Sequence, residues 1–167
     1  MGASPLTAQA AATYDCGGGI YSKGAGIVLR NLEIYNSYGH RAAVNQYQAS
    51  ATATGYGGGA CIVDAPAYSV VVDDVAFGAN TASDSSIGYG GGMLLQNTIG
   101  AVLTQVDFEQ NYALRTRTRT TREFGLGGGL ALINAPETQI TSDSDANLFI
   151  GNVASTGMYG FGGGLYI

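Results

Sequence analysis

The sequence predicts an all-β chain, a right-handed parallel β-helix of about four to five coils, each built from three short strands. Three observations carry this. A glycine triplet followed by an apolar residue recurs five times, beginning at Gly17, Gly57, Gly90, Gly127 and Gly162. A second signature, Phe-x-x-Asn, recurs between the triplets. The residues between the two signatures alternate apolar and polar, the period of a half-buried strand. Spacings of 40, 33, 37 and 35 residues between triplets mark a repeat architecture, in which one unit cannot bury its own apolar face and neighbours must stack on it.

The elements follow in order within each unit. After the triplet, the first and third residues are Ile20 and Ser22, Ala60 and Ile62, Met93 and Leu95, Leu130 and Leu132, Leu165 and Ile167. This gives a first strand with one inward face. A second run places Ile27, Leu29, Leu32 and Ile34 in the first unit over Val70, Val72, Val75 and Phe77 in the second and Ala101, Leu103, Val106 and Phe108 in the third. Its parity flips at Arg30-Asn31, Asp73-Asp74 and Thr104-Gln105, so two strands are expected on either side of a polar pair. In the fourth unit Thr141 to Ala146 inserts extra polar residues there. The unit ends on Phe77-Gly78-Ala79-Asn80, Phe108-Glu109-Gln110-Asn111 or Phe149-Ile150-Gly151-Asn152, with Ile34-Tyr35-Asn36-Ser37 a weaker version in the first.

These signatures have structural roles. Glycine lets stacked backbones approach at one corner and permits positive φ. The column Asn80, Asn111 and Asn152 is expected to form an amide ladder that satisfies turn backbone groups. The column Phe77, Phe108 and Phe149 is expected to stack in the core. Variable length falls between Phe-x-x-Asn and the next triplet. The excursions there line up on one side, a common working face in solenoids. One holds Tyr38, His40, Arg41, Tyr47 and Tyr56; another holds Arg115, Arg117, Arg119 and Arg122, alternating with threonines and read as a solvated loop.

Composition sets the bounds. The chain has 167 residues, 27 of them glycine and 3 proline, with 46% hydrophobic and 11% charged. That charged share is about half the usual one, and so apolar a chain folds. A net charge of −5 argues against nucleic acid as partner. No apolar run approaches the ~20 residues of a membrane helix. Residues 1–13 read as an N-terminal segment without a visible signal peptide, and residues 14–167 as the repeats. The repeats end in mid-coil without an evident cap, so the solenoid is expected to be uncapped or part of a longer one. Cys16 and Cys61 sit differently relative to their triplets, so stacking is not expected to oppose them, and both read as small packing residues.

The paired signature resembles the repeats of the polymorphic outer membrane proteins, which carry Gly-Gly-Ala-apolar with Phe-x-x-Asn and belong to the pectin-lyase-like β-helix superfamily. The likeness covers about residues 14 to 167, with glycine in place of the third-position alanine. It implies an exported, surface-exposed passenger, often adhesive. The superfamily also contains polysaccharide lyases and hydrolases.

For such chemistry the sequence offers little. Asp73-Asp74 is the one acidic pair and falls at the parity-flip turn; Asp143 and Asp145 lie in the polar insert of the fourth unit. Gly39-His40-Arg41 resembles part of a polygalacturonase element without its accompanying acidic motifs. A single histidine makes a zinc site improbable. No catalytic, cofactor-binding or metal-binding residue is therefore assigned, and no cofactor is expected. Outward positions are unusually apolar, with Tyr21, Cys61, Leu94, Ala131 and Tyr166 in one column and Val28, Val71 and Val102 in another, which suggests a partner surface unless loops fold over them. The expectation is a non-catalytic extracellular or cell-surface module, a scaffold, adhesin-like surface or fibre subunit. It would self-associate through open coil ends or apolar outer faces. The alternatives are a polysaccharide-acting fragment or a glycan-binding module.

Overall fold

The structure, a computed structural model, describes residues 15–40, 54–116, 123–143 and 146–167. Every regular element among them is a strand, every strand pair is parallel, and the strands form four stacked sheets. The chain is a parallel β-helix.

One coil visits the sheets in turn. The triplet sheet follows the glycines and contains Ile20–Lys23, Ala60–Val63, Met93–Gln96, Leu130–Ile133 and Leu165–Tyr166. The long sheet contains Ile27–Tyr35, Val70–Gly78 and Val102–Glu109, and in the fourth coil the shorter Gln139–Thr141 and Leu148–Ile150. The return sheet contains Tyr38–His40, Thr81–Ser83, Tyr112–Leu114 and Val153–Ser155. The closing sheet contains Asp15–Cys16, Thr54–Tyr56, Ile87–Tyr89, Phe124–Leu126 and Tyr159–Phe161 and leads into the next triplet. The last two sheets lie in the segment expected to be loop excursions, so each coil gains two short strands there.

The register is the one the alternation dictates. Ile27, Leu29, Leu32 and Ile34 pair with Val70, Val72, Val75 and Phe77, and these continue onto Leu103, Val106 and Phe108. The main core fills the space between the triplet and long sheets. The parity flip is a kink within one continuous strand, at the same place in each of the first three coils. Asn31, Asp74 and Gln105 take φ of 49°, 53° and 51°, which turns the following side chain back to the interior. Only the fourth coil, with its polar insert, splits the strand in two.

Each glycine of a triplet answers a different demand. Gly90 takes φ of 62° at the corner. A Cβ on Gly91 would drive into the backbone of Tyr112, and one on Gly92 would come within 2.7 Å of the Phe108 ring. A second close approach joins the return and closing sheets. A Cβ on Gly55, Gly88 or Gly125 would strike the carbonyl of Ala82, Ala113 or Ala154, so these two sheets meet backbone to backbone.

The amide ladder forms as expected. Asn111 Oδ1 accepts from Asn80 N at 3.0 Å and from Asn80 Nδ2 at 3.1 Å. Asn111 Nδ2 donates to Phe77 O at 2.8 Å and to Asn152 Oδ1 at 3.0 Å. Asn80 continues it to Ile34 O and Ser37 N, and Asn152 to Phe108 O. Asn111 and Asn80 are fully buried. Replacing Asn111 by alanine strands a buried amide hydrogen and a buried carbonyl without partners, each worth about 1–3 kcal/mol. The expected loss is about 3 kcal/mol in urea unfolding, and an unchanged midpoint would refute the ladder's contribution.

Two expectations are corrected here. Cys16 and Cys61 are joined in a disulfide, with Cα atoms 5.6 Å apart. Cys16 stacks on Tyr56 in the closing sheet, and Cys61 lies across the triplet corner in the adjoining triplet sheet. The glycine corner reverses the chain, so a residue just before one triplet faces a residue after the next. The outward column is also not a free surface. Cys61, Leu94 and Ala131 are fully buried and form a second small core with Cys16, Tyr56, Val63, Tyr89 and Ile133, because the closing sheet folds over them. Tyr21 alone in that column is well exposed, at 54%. In the other column Val28 is exposed, and Val71 and Val102 are partly covered.

Candidate functional site

The same corner that buries the second core leaves a cleft beside it across the first three coils. The triplet strand points Tyr21 and Lys23 outward, alternating with Ile20 and Ser22 turned inward. Lys23 pairs in register with Val63, and Val63 with Gln96, so this column changes from cation to aliphatic to amide down the stack. The next position is a turn. Asp64, Asn97 and Asn134 take φ of 55°, 52° and 49°, a conformation that Asp and Asn tolerate better than other side chains. Their side chains form a ladder in which Asn97 Nδ2 donates to Asp64 Oδ1 at 2.8 Å and Asn134 Nδ2 donates to Asn97 Oδ1 at 2.9 Å.

From the other side comes the closing sheet. Tyr56 lies in the column between Cys16 and Tyr89, its ring stacked on Tyr89 at 5.1 Å with planes 7° apart. Burial pushes the Tyr89 phenol above its ordinary value, and the neighbouring Tyr166 adds to this. Together Cys16, Tyr21, Lys23, Tyr56, Val63, Asp64, Gln96 and Asn97 line a cleft of about 270 Å³ that is partly open to solvent.

The residues singled out in the sequence are dispersed. Tyr56 enters the cleft; Tyr38 lies on the return sheet. His40 ends the first return strand, and Arg41 and Tyr47 lie outside the described residues. Of the arginine run, Arg115 is exposed with its guanidinium 5.1 Å from the Tyr112 ring centroid, while Arg117, Arg119 and Arg122 lie outside the described residues. Asp73 and Asp74 occupy the kink of the long strand, where Arg30 Nε sits 3.4 Å from Asp73 Oδ2 in an exposed pair. Such a pair contributes little to stability. Asp143 is exposed, and Asp145 lies outside the described residues. Among the described residues no group of three His, Cys, Asp or Glu side chains converges to hold a metal ion, and no helix is long and apolar enough to cross a membrane.

Sequence reasoning passed over Lys23, Asp64, Gln96 and Asn97. Their signal was positional: they occupy the fourth and fifth places after a triplet, an outward place and a turn place that recur after the first four triplets. No protein-family model, curated protein or solved structure matches the chain.

Proposed function

We propose that the chain is a non-catalytic β-helix module of an exported, surface-exposed protein, a rigid scaffold that associates with further copies through its coil edge. The observation that carries this reading is the columnar build of the coils: like residues stack rung on rung, the Asn80, Asn111 and Asn152 amides in one ladder and the Phe77, Phe108 and Phe149 rings in another. Parallel rungs built from like positions are a template for a further equivalent rung.

Two further facts support the setting. The Cys16–Cys61 bridge is the covalent chemistry of an oxidising compartment. The paired repeat signatures resemble those of exported polymorphic outer membrane proteins. The repeated glycine, asparagine and phenylalanine columns go into stacking, which suits a scaffold.

Electron microscopy of the purified, oxidised chain, with light scattering on the same sample, tests the reading. The expected result is regular fibres in which subunits add along the solenoid axis, with a rise near ~20–25 Å, about five rungs at the ~4.8 Å strand spacing. A monodisperse monomer at micromolar to millimolar concentration would overturn the assembly role.

A further inference from the structure

We propose that the cleft over the Cys16–Cys61 bridge is a carbohydrate-binding site for neutral pyranose residues of an extended polysaccharide. The proposal stands on the outer face of the first three coils and is independent of edge association.

Its chemistry is two-sided. Tyr21 offers an aromatic face that is 54% exposed, and Tyr56 offers a second ring braced from behind by Tyr89. Aromatic faces carry a negative quadrupole that attracts the axial C–H face of a sugar ring. Beside the rings stand groups that read hydroxyls. Lys23 donates; Gln96 and Asn97 donate and accept; the Asp64 carboxylate accepts and spends one acceptor site on Asn97. The amide ladder through Asn134 holds Asn97 and Asp64 in one orientation, so little side-chain entropy is lost on binding. The disulfide fixes the cleft floor between two coils.

The other ligand classes fit less well. A peptide that adds as a strand pairs with an open ladder edge, whereas this cleft opens on the outward face of the triplet sheet; Ala60–Val63 and Met93–Gln96 there are paired on both sides, and Ile20–Lys23 on one side among the described residues. Among the described residues Lys23 is the single cation lining the cleft and Asp64 balances it, so a polyanion gains nothing from them. Enclosed small-molecule pockets run to roughly 300–1,000 Å³. A shallower, partly open cleft of about 270 Å³ suits a few rings of a chain that passes across it.

The test is calorimetric titration of the oxidised 167-residue chain with cellohexaose, xylohexaose, mannohexaose, chitohexaose and a galacturonan hexasaccharide as acidic comparison. At least one neutral hexasaccharide is expected to bind with a micromolar to millimolar Kd. Tyr21→Ala is expected to weaken it about tenfold or more. Asp64→Asn keeps the turn, because Asn97 and Asn134 occupy the same place in the next coils, and is expected to weaken binding roughly fivefold. Tyr35→Ala, on the long sheet outside the cleft, should leave the Kd unchanged. Circular dichroism shows whether each variant keeps its fold, and Asp64→Asn carries the test if Tyr21→Ala does not. No binding to any neutral hexasaccharide would overturn the proposal. So would preference for the galacturonan, or the same Kd in both cleft variants as in the wild type.

Discussion

Replacing Phe108 by alanine is expected to remove roughly 3–5 kcal/mol of stability, the largest loss from a single side chain in this fold. Phe108 is fully buried and sandwiched between Phe77, with ring centroids 5.0 Å apart, and Phe149, at 4.9 Å. The backbone around it cannot close the void. Gly92 and Gly129 press on the ring and its Cβ, and both glycines are tied into the next coil by hydrogen bonds between triplets. The Asn111 ladder fixes the turn that follows. Urea unfolding followed by circular dichroism measures the loss, with the slope expected to stay at its wild-type value. Phe149→Ala, at the partly exposed end of the stack, should cost less. A Phe108→Ala loss below about 1 kcal/mol would mean that the column collapses around the gap, contrary to a core held by glycine contacts.

Reduction of the Cys16–Cys61 bridge is the second large effect. The bond closes a loop spanning 45 residues. Restoring that loop's freedom to the unfolded chain lowers stability by about 4 kcal/mol on the loop-entropy account. The loss should be local. The first described coil is poorly covered, with Tyr21, Val28, Leu32 and Tyr35 all well exposed. Hydrogen exchange after reduction should show protection falling across residues 15–40, while the strands Val70–Gly78 and Val102–Glu109 keep theirs. Uniform loss through all coils would show a single cooperative unit instead.

The main core was legible because each of its contacts joins like positions in neighbouring coils. Val75 lies over Leu32 and under Val106, so aligning the repeats on their glycines aligns the core. The same logic exposed the amide and phenylalanine columns. It missed the disulfide because that bond joins unlike positions, one before a triplet and one after. It missed the closing and return sheets because their strands are three residues or shorter and their middle residues are glycine or alanine, which carry no apolar alternation. The cleft depends on this unseen corner. Tyr56 reads as loop and Asp64 draws no notice until the closing sheet folds Tyr56 beside the outward face of the triplet sheet.

The backbone-to-backbone contact between the return and closing sheets also decides where this chain tolerates change. Between those sheets the second coil needs only Asp84 to Ser86, whereas the first coil spends residues 41–53 and the third about as many residues as 115–123. The strands on either side nevertheless keep one register in all three coils. Where glycine lies against alanine backbone, the contact between the two sheets does not depend on the length of the connection. Doubling such a connection costs only about 0.6 kcal/mol in closure entropy. The seam thus works as an open port, at which new sequence can enter the coil and be carried outward while the columns behind it stay in step.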